Sequence, residues 1–319
     1  MGPLSSRVLL ALAIGLMLVA ALTAGHASAF CRMTTDGGTQ VGNQICLERG
    51  EFLEWPVACL SYAIDRRGSS WMPFSDVEQV VDTSFNTWQN ETCDGEPVDL
   101  IFKPLNSSTC QRAEFRESGN VNTIAFLDPW EDQCGSEYSP NAFAVTIVWH
   151  NTSTGEIFDA DMMINDLLGP YERCSESGCE PGTTGNPGPV DLQSIVTHEV
   201  GHFIGIGHSN VDGATMAPSS ARTEVSKRTL EQDDIRAVCA IYPPGSLDDS
   251  CNPDVVGGLD LNCENDGPPN CTDPTPIPSS GGCSAARVSS GESPCGALLL
   301  ALLAVTVLRR RSLQRDAQS

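Results

Sequence analysis

One segment of the sequence restricts the fold of this chain more than any other, the run from Val190 to His208. Three of the five histidines of the chain fall within its last eleven residues, at His198, His202 and His208. Side chains four residues apart share one face of a helix, so a helix here places the first two imidazoles side by side. Gly205 can take a positive φ, which ends the helix and turns the chain back. The third imidazole is therefore expected to join the other two.

The same helix also has a face for packing. Val196, Val200 and Phe203 follow the i, i+4, i+7 spacing and point away from the histidine face. Three neutral imidazoles suit Zn²⁺ and leave a fourth coordination position open, as a catalytic zinc needs. Glu199 is the one acid in the motif, and it lies where a carboxylate can take a proton from a zinc-activated water. The segment predicts one catalytic zinc held by the three histidines, with Glu199 as general base.

The pattern H-E-x-x-H-x-x-G-x-x-H is similar to the signature of the metzincin zinc peptidases. Further details resemble the matrixins within that group. Ser209 follows the third histidine, and Met216 lies eight residues beyond it, where matrixins have the methionine of their Met-turn. Residues 59–64 resemble the first strand of the matrixin catalytic domain, and residues 229–238 resemble its C-terminal helix. The resemblance implies a zinc metalloendopeptidase in which Met216 forms an apolar floor beneath the metal.

The hydrophobic pattern between residues 56 and 242 predicts an α+β domain. The first helix is predicted to start at a Ser75/Asp76 cap, the second at Asp191, and the third to run over 230–241 from a Thr229 cap. Five strands are predicted at 59–64, 98–102, 122–127, 142–149 and 157–164. The buried side of the first helix is predicted to carry Val77, Val80, Val81, Phe85 and Trp88. With the resemblance, the expected fold is metzincin-like: a twisted five-stranded mixed sheet with three helices, the active-site helix followed by the Met-turn.

Composition limits both the compartment and the partners. The chain has 14 cysteines and no CxxC pair, which favours disulfides and an oxidising compartment. Setting aside Cys283 and Cys295 near the C-terminus leaves twelve, an even number whose pairing the sequence does not reveal. The 18 Lys+Arg and 41 Asp+Glu give a net charge of −23. Such a chain does not neutralise phosphates, so we expect no nucleic-acid partner.

The two ends of the chain predict export and surface attachment. Arg7, an apolar run and small residues before Phe30 indicate a signal peptide over 1–29. A cysteine-containing extension (30–55), the catalytic domain (56–242) and a Pro/Gly/Asp/Cys-rich stalk (243–293) follow. The cysteines of this stalk are expected to staple it locally or not at all. The last region, 294–319, is a hydrophobic tail with an arginine cluster.

The tail allows two interpretations. Its 13 apolar residues, 296–308, span about 20 Å as a helix, against a hydrocarbon core of about 30 Å. Together with the Gly282-Cys283 step and three arginines, it resembles the C-terminal sorting tails of myxobacterial surface proteins. The alternative is an ordinary single-span anchor. Both predict a secreted or cell-surface protein attached to the membrane transiently or permanently, and we expect a monomer.

Asp159, Asp161 and Asp166 suggest a calcium site, because Ca²⁺ prefers several oxygen ligands. Acids that alternate on a solvent-facing strand explain the first two equally well. The leading functional hypothesis is an exported zinc endopeptidase whose protein or peptide substrate binds beside the edge strand at 142–149. The competing hypothesis is a surface-attached binding or adhesion module on a metzincin scaffold. A nucleobase deaminase also uses zinc and Glu, but it requires a Cys-x-x-Cys pair that this sequence lacks.

Overall fold

The computed structural model describes residues 30–36, 46, 49–131, 138–183, 187–247, 251, 257–263 and 284–285. The helices are α1 (Phe74–Gln89), α2 (Leu192–Phe203) and α3 (Gln232–Ile241). The strands are β1 (Phe30–Arg32), β2 (Cys59–Ile64), β3 (Thr92–Cys93), β4 (Glu96–Pro97), β5 (Ile101–Pro104), β6 (Thr123–Leu127), β7 (Ala144–His150), β8 (Ile157–Asn165), β9 (Tyr171–Glu172), β10 (Val190–Asp191), β11 (Ile206–Ser209), β12 (Ser219–Ser220) and β13 (Ser284–Ala285). Within these ranges, no helix has the length and hydrophobicity needed to cross a membrane. The predicted signal peptide and tail lie outside the described residues.

A five-stranded mixed sheet forms the centre of the fold, in the order β5-β2-β6-β8-β7. Strands β5, β2, β6 and β8 pair in parallel, and β7 pairs antiparallel with β8. Strand β7 is therefore an edge strand of this sheet. This sheet and the three helices confirm the predicted α+β, metzincin-like fold.

Helices α1 and α2 pack together, and aromatic side chains fill the space between them and the sheet. Phe85 stacks on Tyr62 with ring centroids 3.9 Å apart, and it meets Phe203 edge-on at 5.3 Å. The Trp88 indole donates a hydrogen bond to the Thr197 carbonyl at 2.8 Å. All five residues predicted to form the buried side of α1 are buried. The packing fixes α2, and thus the histidine segment, against the rest of the core.

Two predicted helix caps are wrong. Helix α1 follows Pro73, whose fixed φ suits a helix start, and no side chain caps it; Asp76 lies in the first turn, where a negative charge is favourable. Helix α3 begins two residues later than predicted, because Glu231 and Asp234 form a reciprocal capping box. Thr229 instead donates a hydrogen bond back to the Ser226 carbonyl at 3.4 Å.

The second predicted strand, at 98–102, is shifted in the structure. Strand β5 begins at Ile101 and continues to Pro104. Val98 and Leu100 are buried like Phe102, so their alternating apolar pattern reflects core packing before the pairing with β2 begins. Period-two hydrophobicity does not separate these two cases.

Five disulfides tie the described residues together. The predicted N-terminal extension contains one of them, and two others attach the region after 243 to the domain rather than to itself. Local stapling of that region is therefore wrong for two of its cysteines. The pairs are Cys31–Cys46, Cys59–Cys251, Cys93–Cys239, Cys110–Cys263 and Cys174–Cys179.

Candidate metal centre

Helix α2 starts at a buried polar cluster, as the Asp191 cap predicted. The Asp191 carboxylate accepts hydrogen bonds from the Ser194 backbone N–H at 2.9 Å and its hydroxyl at 2.7 Å. The Arg228 guanidinium binds the same carboxylate through two nitrogens, at 2.5 and 2.9 Å. A two-point pair of this kind fixes orientation as well as charge. The start of α2 is therefore held by a residue 37 positions further along the chain.

Helix α2 ends at a turn that requires glycine. Gly205 has φ +85°, and its N–H bonds to the His202 carbonyl at 2.9 Å. A Cβ there would lie 2.4 Å from the Leu53 carbonyl oxygen. The turn leads directly into β11, which carries His208. The predicted reversal of the chain is thus present, and a third imidazole follows it.

The three predicted ligands converge. One ligand nitrogen from each of His198, His202 and His208 can be chosen so that all lie within 4.8 Å of one another. The ring centroids are 4.8, 5.3 and 4.9 Å apart. The Nε2 atoms of His198 and His202 are separated by 3.2 Å. Two nitrogens each ~2.05 Å from a tetrahedral zinc would be ~3.3 Å apart, so the spacing fits this metal.

Hydrogen bonds select the nitrogens that face the centre. Nδ1 of His198 lies 2.6 Å from the Thr215 carbonyl, and Nδ1 of His202 lies 2.8 Å from the Ile206 carbonyl. A carbonyl only accepts, so both Nδ1 atoms carry the proton and both Nε2 atoms keep a lone pair. Both ring nitrogens of His208 are buried and have no hydrogen-bond partner among the described residues. Buried polar atoms without a partner are costly, and zinc coordination would satisfy one of them here.

All three imidazoles are neutral at physiological pH. Burial lowers the pKa of His202 to about 4 and that of His208 to about 2. Burial also holds the pKa of His198 well below its usual range. The positive charge of Lys227 contributes in the same direction at each of them. Metal binding requires neutral imidazole, so this environment prepares the ligands.

Glu199 is held by a residue that sequence reasoning missed. Its carboxylate is buried beside the histidines and accepts a 2.7 Å hydrogen bond from the Thr146 hydroxyl. Thr146 lies in the edge strand β7, on the face that also carries Ala144 and Val148. A polar residue at an inward position of an apolar strand was visible in the sequence. Only the packing of β7 against α2 shows which group it binds.

Met216 lies in a buried turn next to α2. Its backbone carbonyl accepts from Ser209 N at 2.8 Å, and its N–H donates to Asp234 at 3.1 Å. A Cβ on Gly201 would come within 2.2 Å of the Met216 sulfur, so the thioether packs on the helix between the two histidine positions. The predicted turn is therefore adjacent to the histidine cluster.

The three aspartates considered for calcium do not come together. In the described part of the chain, no group of three acidic ligands includes them within 4.8 Å. The solvent-facing interpretation of Asp159 and Asp161 is wrong, because both side chains are buried. Asp161 accepts from Thr123 N at 2.6 Å, and Asp166 accepts from the Ser69 hydroxyl at 2.9 Å. These carboxylates instead hold backbone and side-chain donors.

Comparison with known proteins agrees with this geometry. The family model described as Matrixin matches residues 54–243, which is more than half of the chain. The chain belongs to the matrixin family. Membership implies zinc as the metal, and the donor atoms of the histidine cluster described above fit zinc.

Individual relatives of this matrixin match over shorter stretches. Metalloendoproteinase 1-MMP of Arabidopsis thaliana is 46% identical over 55 residues, 17% of this chain and 15% of that protein. Karilysin of Tannerella forsythia is 30% identical over 140 residues, 41% of this chain and 27% of that protein. Matrix metalloproteinase-16 of Homo sapiens is 40% identical over 67 residues, 20% of this chain and 11% of that protein. The chain thus spans less than a third of the length of these relatives.

Proposed function

We propose that this matrixin is a zinc-dependent metalloendopeptidase that hydrolyses peptide bonds in protein or peptide substrates. One observation carries the proposal: three buried, neutral imidazoles converge beside a buried, oriented carboxylate. A binding or adhesion module needs no such carboxylate next to its metal. Two of the relatives named above are a metalloendoproteinase and a matrix metalloproteinase, and these names support the same class of activity.

The residues divide the chemistry among them. His198, His202 and His208 would hold zinc, which when bound polarises the scissile carbonyl and makes water more acidic. Glu199 accepts a proton from the attacking water and then delivers it to the leaving amine nitrogen. The Thr146 hydroxyl donates a hydrogen bond to the Glu199 carboxylate and so restricts its orientation. Met216 packs against Gly201 in α2, the helix that carries two of the three histidines.

Backbone pairing would bind the substrate. Strand β7 has β8 on one side, and its other side is an edge of the five-stranded sheet. An extended peptide can add to such an edge through main-chain hydrogen bonds. Because Thr146 lies in β7 and contacts Glu199, a peptide bound along this edge passes the carboxylate. This arrangement supports cleavage within a chain, as an endopeptidase requires.

The wider organisation of the protein belongs to the same proposal. We infer export through residues 1–29, a catalytic domain over 56–242, a stalk over 243–293 and surface attachment through 294–319. The disulfides support an oxidising compartment. The monomeric state stays a prediction from the sequence.

Two substitutions test the proposed function. Glu199→Ala is expected to keep about one zinc per chain and to lose a factor of ~10²–10⁴ in kcat, because the general base is gone. His202→Ala is expected to lose both zinc and activity. Glu78→Ala, at an exposed acid on α1, is the matched control and should retain both. Zinc content by atomic emission and peptide cleavage are measured in parallel. Normal turnover by Glu199→Ala would contradict the assigned role.

A further inference from the structure

A short segment from the C-terminal region of the chain, β13 (Ser284–Ala285), pairs with the domain shortly after the turn that contains Met216. The segment runs parallel to β12, with Ser219 opposite Ser284 and Ser220 opposite Ala285. The two strands form a sheet of their own, so among the described residues β13 is the strand that pairs with β12. The position of β12 determines what this contact can affect.

Strand β12 follows directly on the turn that contacts the histidine helix. The carbonyl oxygen of Thr215 binds Nδ1 of His198, and the Met216 sulfur packs against Gly201 of α2. Strand β12 begins three residues after Met216, which is at most ~11 Å along a fully extended chain. The paired segment therefore lies close to the metal centre.

Helix α2 is flanked by different parts of the chain on its different sides. Consecutive residues of a helix point about 100° apart around its axis. Glu199 faces Thr146 of β7, whereas His198 faces the turn at Thr215. A peptide that crosses the histidine cluster beside the edge of β7 therefore has β7 on one side and the chain that follows Met216 on the other. We call that chain, residues 217–220, the cleft wall.

We propose that β13 is an autoinhibitory strand, which occupies the backbone edge of the cleft wall that a substrate peptide uses. The inference rests on the proposed peptidase function and names its regulation. An extended peptide gains affinity by pairing its main chain with an exposed strand edge. Each backbone N–H of that edge donates to one partner chain, so β13 and a substrate cannot pair with the same residues. The segment must detach before the peptide binds along this wall.

The connection to the domain allows so short a strand to compete. Ser284 is joined through the chain to Cys263, which a disulfide with Cys110 fixes to the domain. A tethered segment acts at a high effective concentration, whatever the concentration of the protein. Two paired residues therefore suffice against dilute substrate. Because the segment competes with substrate and does not touch the reacting groups, it raises KM and leaves kcat unchanged.

The kinetic test compares the full chain with its Ser284→Pro/Ala285→Pro variant, which lacks both backbone N–H groups of β13. A library of fluorogenic decapeptides supplies the substrates. KM is expected to fall by a factor of ~3 or more, at every enzyme concentration, with kcat and zinc content unchanged. Ser289→Pro/Ser290→Pro places two prolines outside the pair and is the matched control, which should keep the wild-type KM.

The possible failures can be told apart. If no zinc-loaded form of the protein, including the Ser284→Pro/Ala285→Pro variant, cleaves any peptide of the library, the proposed function is wrong. If all forms cleave peptides with the same KM, the function stands and the autoinhibition is wrong.

Hydrogen exchange tests the competition without any change in β13, so it holds even if the proline variant does not fold. The zinc-loaded Glu199→Ala variant of the full chain is saturated with a peptide that the wild-type protein cleaves. Mass spectrometry with fragmentation then follows the amide hydrogens of Ser284 and Ala285. They are expected to exchange ~10-fold faster when the peptide is bound, because the strand has detached. Unchanged exchange would show that β13 and the substrate bind side by side, which overturns the proposal.

Discussion

At the scale of single residues, Thr146 is positioned to orient the carboxylate of Glu199, the proposed general base. Its hydroxyl holds Glu199 Oε2 at 2.7 Å. Thr146→Val keeps the shape but removes the donor, so we expect kcat to fall about tenfold, a fraction of what a general base supplies. KM and zinc content should stay constant. Thr146→Ser should restore kcat, whereas full activity of Thr146→Val would contradict the role.

The buried imidazoles should make the zinc-free protein sensitive to acid. In the unfolded chain histidine has a pKa of about 6.5, and in the folded protein burial lowers that of His202 to about 4 and that of His208 to about 2. The unfolded state therefore binds more protons below pH 6.5. The free energy of unfolding should fall as pH drops from 6.5 toward 4, by about 1.4 kcal/mol per pH unit for each histidine. Urea unfolding of chelator-treated protein measures this slope.

A variant separates this effect from other buried groups. Burial raises the pKa of both Asp159 and Asp161 well above the usual range, and such groups stabilise the fold as pH falls. His208→Leu leaves those carboxylates in place and breaks no hydrogen bond of the described residues. In the zinc-free variant, the free energy of unfolding should depend less steeply on pH, by the contribution of one histidine. Equal slopes in the two proteins would show that His208 is not buried and neutral.

At the scale of elements, the turn between α2 and β11 depends on Gly205. Gly205→Ala combines a positive φ with a Cβ 2.4 Å from the Leu53 carbonyl oxygen. Gly213 has nearly the same φ, +86°, but nothing lies within 4 Å of its Cβ position. Gly213→Ala should cost about 1–2 kcal/mol of unfolding free energy, and Gly205→Ala should cost more and weaken zinc binding. If urea titration gave the same loss of unfolding free energy for both variants, the close contact assigned at Gly205 would be wrong.

Elements with local signals were the ones that the sequence predicted well. Helix α2 has a cap at Asp191, a glycine just after its end and two histidines at a spacing that places both on one face of a helix, so its predicted bounds were close. The start of α3 was missed because the Glu231/Asp234 box competes with the Thr229 cap, and only packing decides between them. Thr146 bonds to Glu199, which lies 53 residues away in the chain, and Lys227 bonds to Ala217, which lies 10 residues away. Contacts of this kind come from tertiary packing, which the local pattern does not contain.

At the scale of the whole molecule, two long-range disulfides hold the region after the predicted domain against it. Cys59–Cys251 closes 192 residues, whereas Cys174–Cys179 closes five. The chain-entropy model gives about 5 kcal/mol for a loop of the first size and about 2 kcal/mol for the second. Replacing both members of the long pair by Ala should therefore lower the free energy of unfolding more.

The variants that lack Cys59–Cys251 or Cys174–Cys179 also serve as controls for each other. Both remove two sulfurs and both leave the histidine cluster untouched, so zinc content should be equal in the folded proteins. Urea unfolding of the oxidised proteins gives the two losses. A larger loss for the short pair would mean that native packing, rather than loop closure, sets the contribution of these bonds.

Strand β1 has a consequence for how the protein folds. It pairs with β11, with Arg32 opposite Ile206, so residues 174 positions apart must meet to complete the strand that carries His208. His198 and His202 come together as soon as one helix forms, which takes about a microsecond for an isolated segment. Contacts of high sequence separation form much more slowly. A nascent chain is therefore expected to bring two histidines together early and the third only near the end of folding. Tight zinc binding is then expected only once folding is complete.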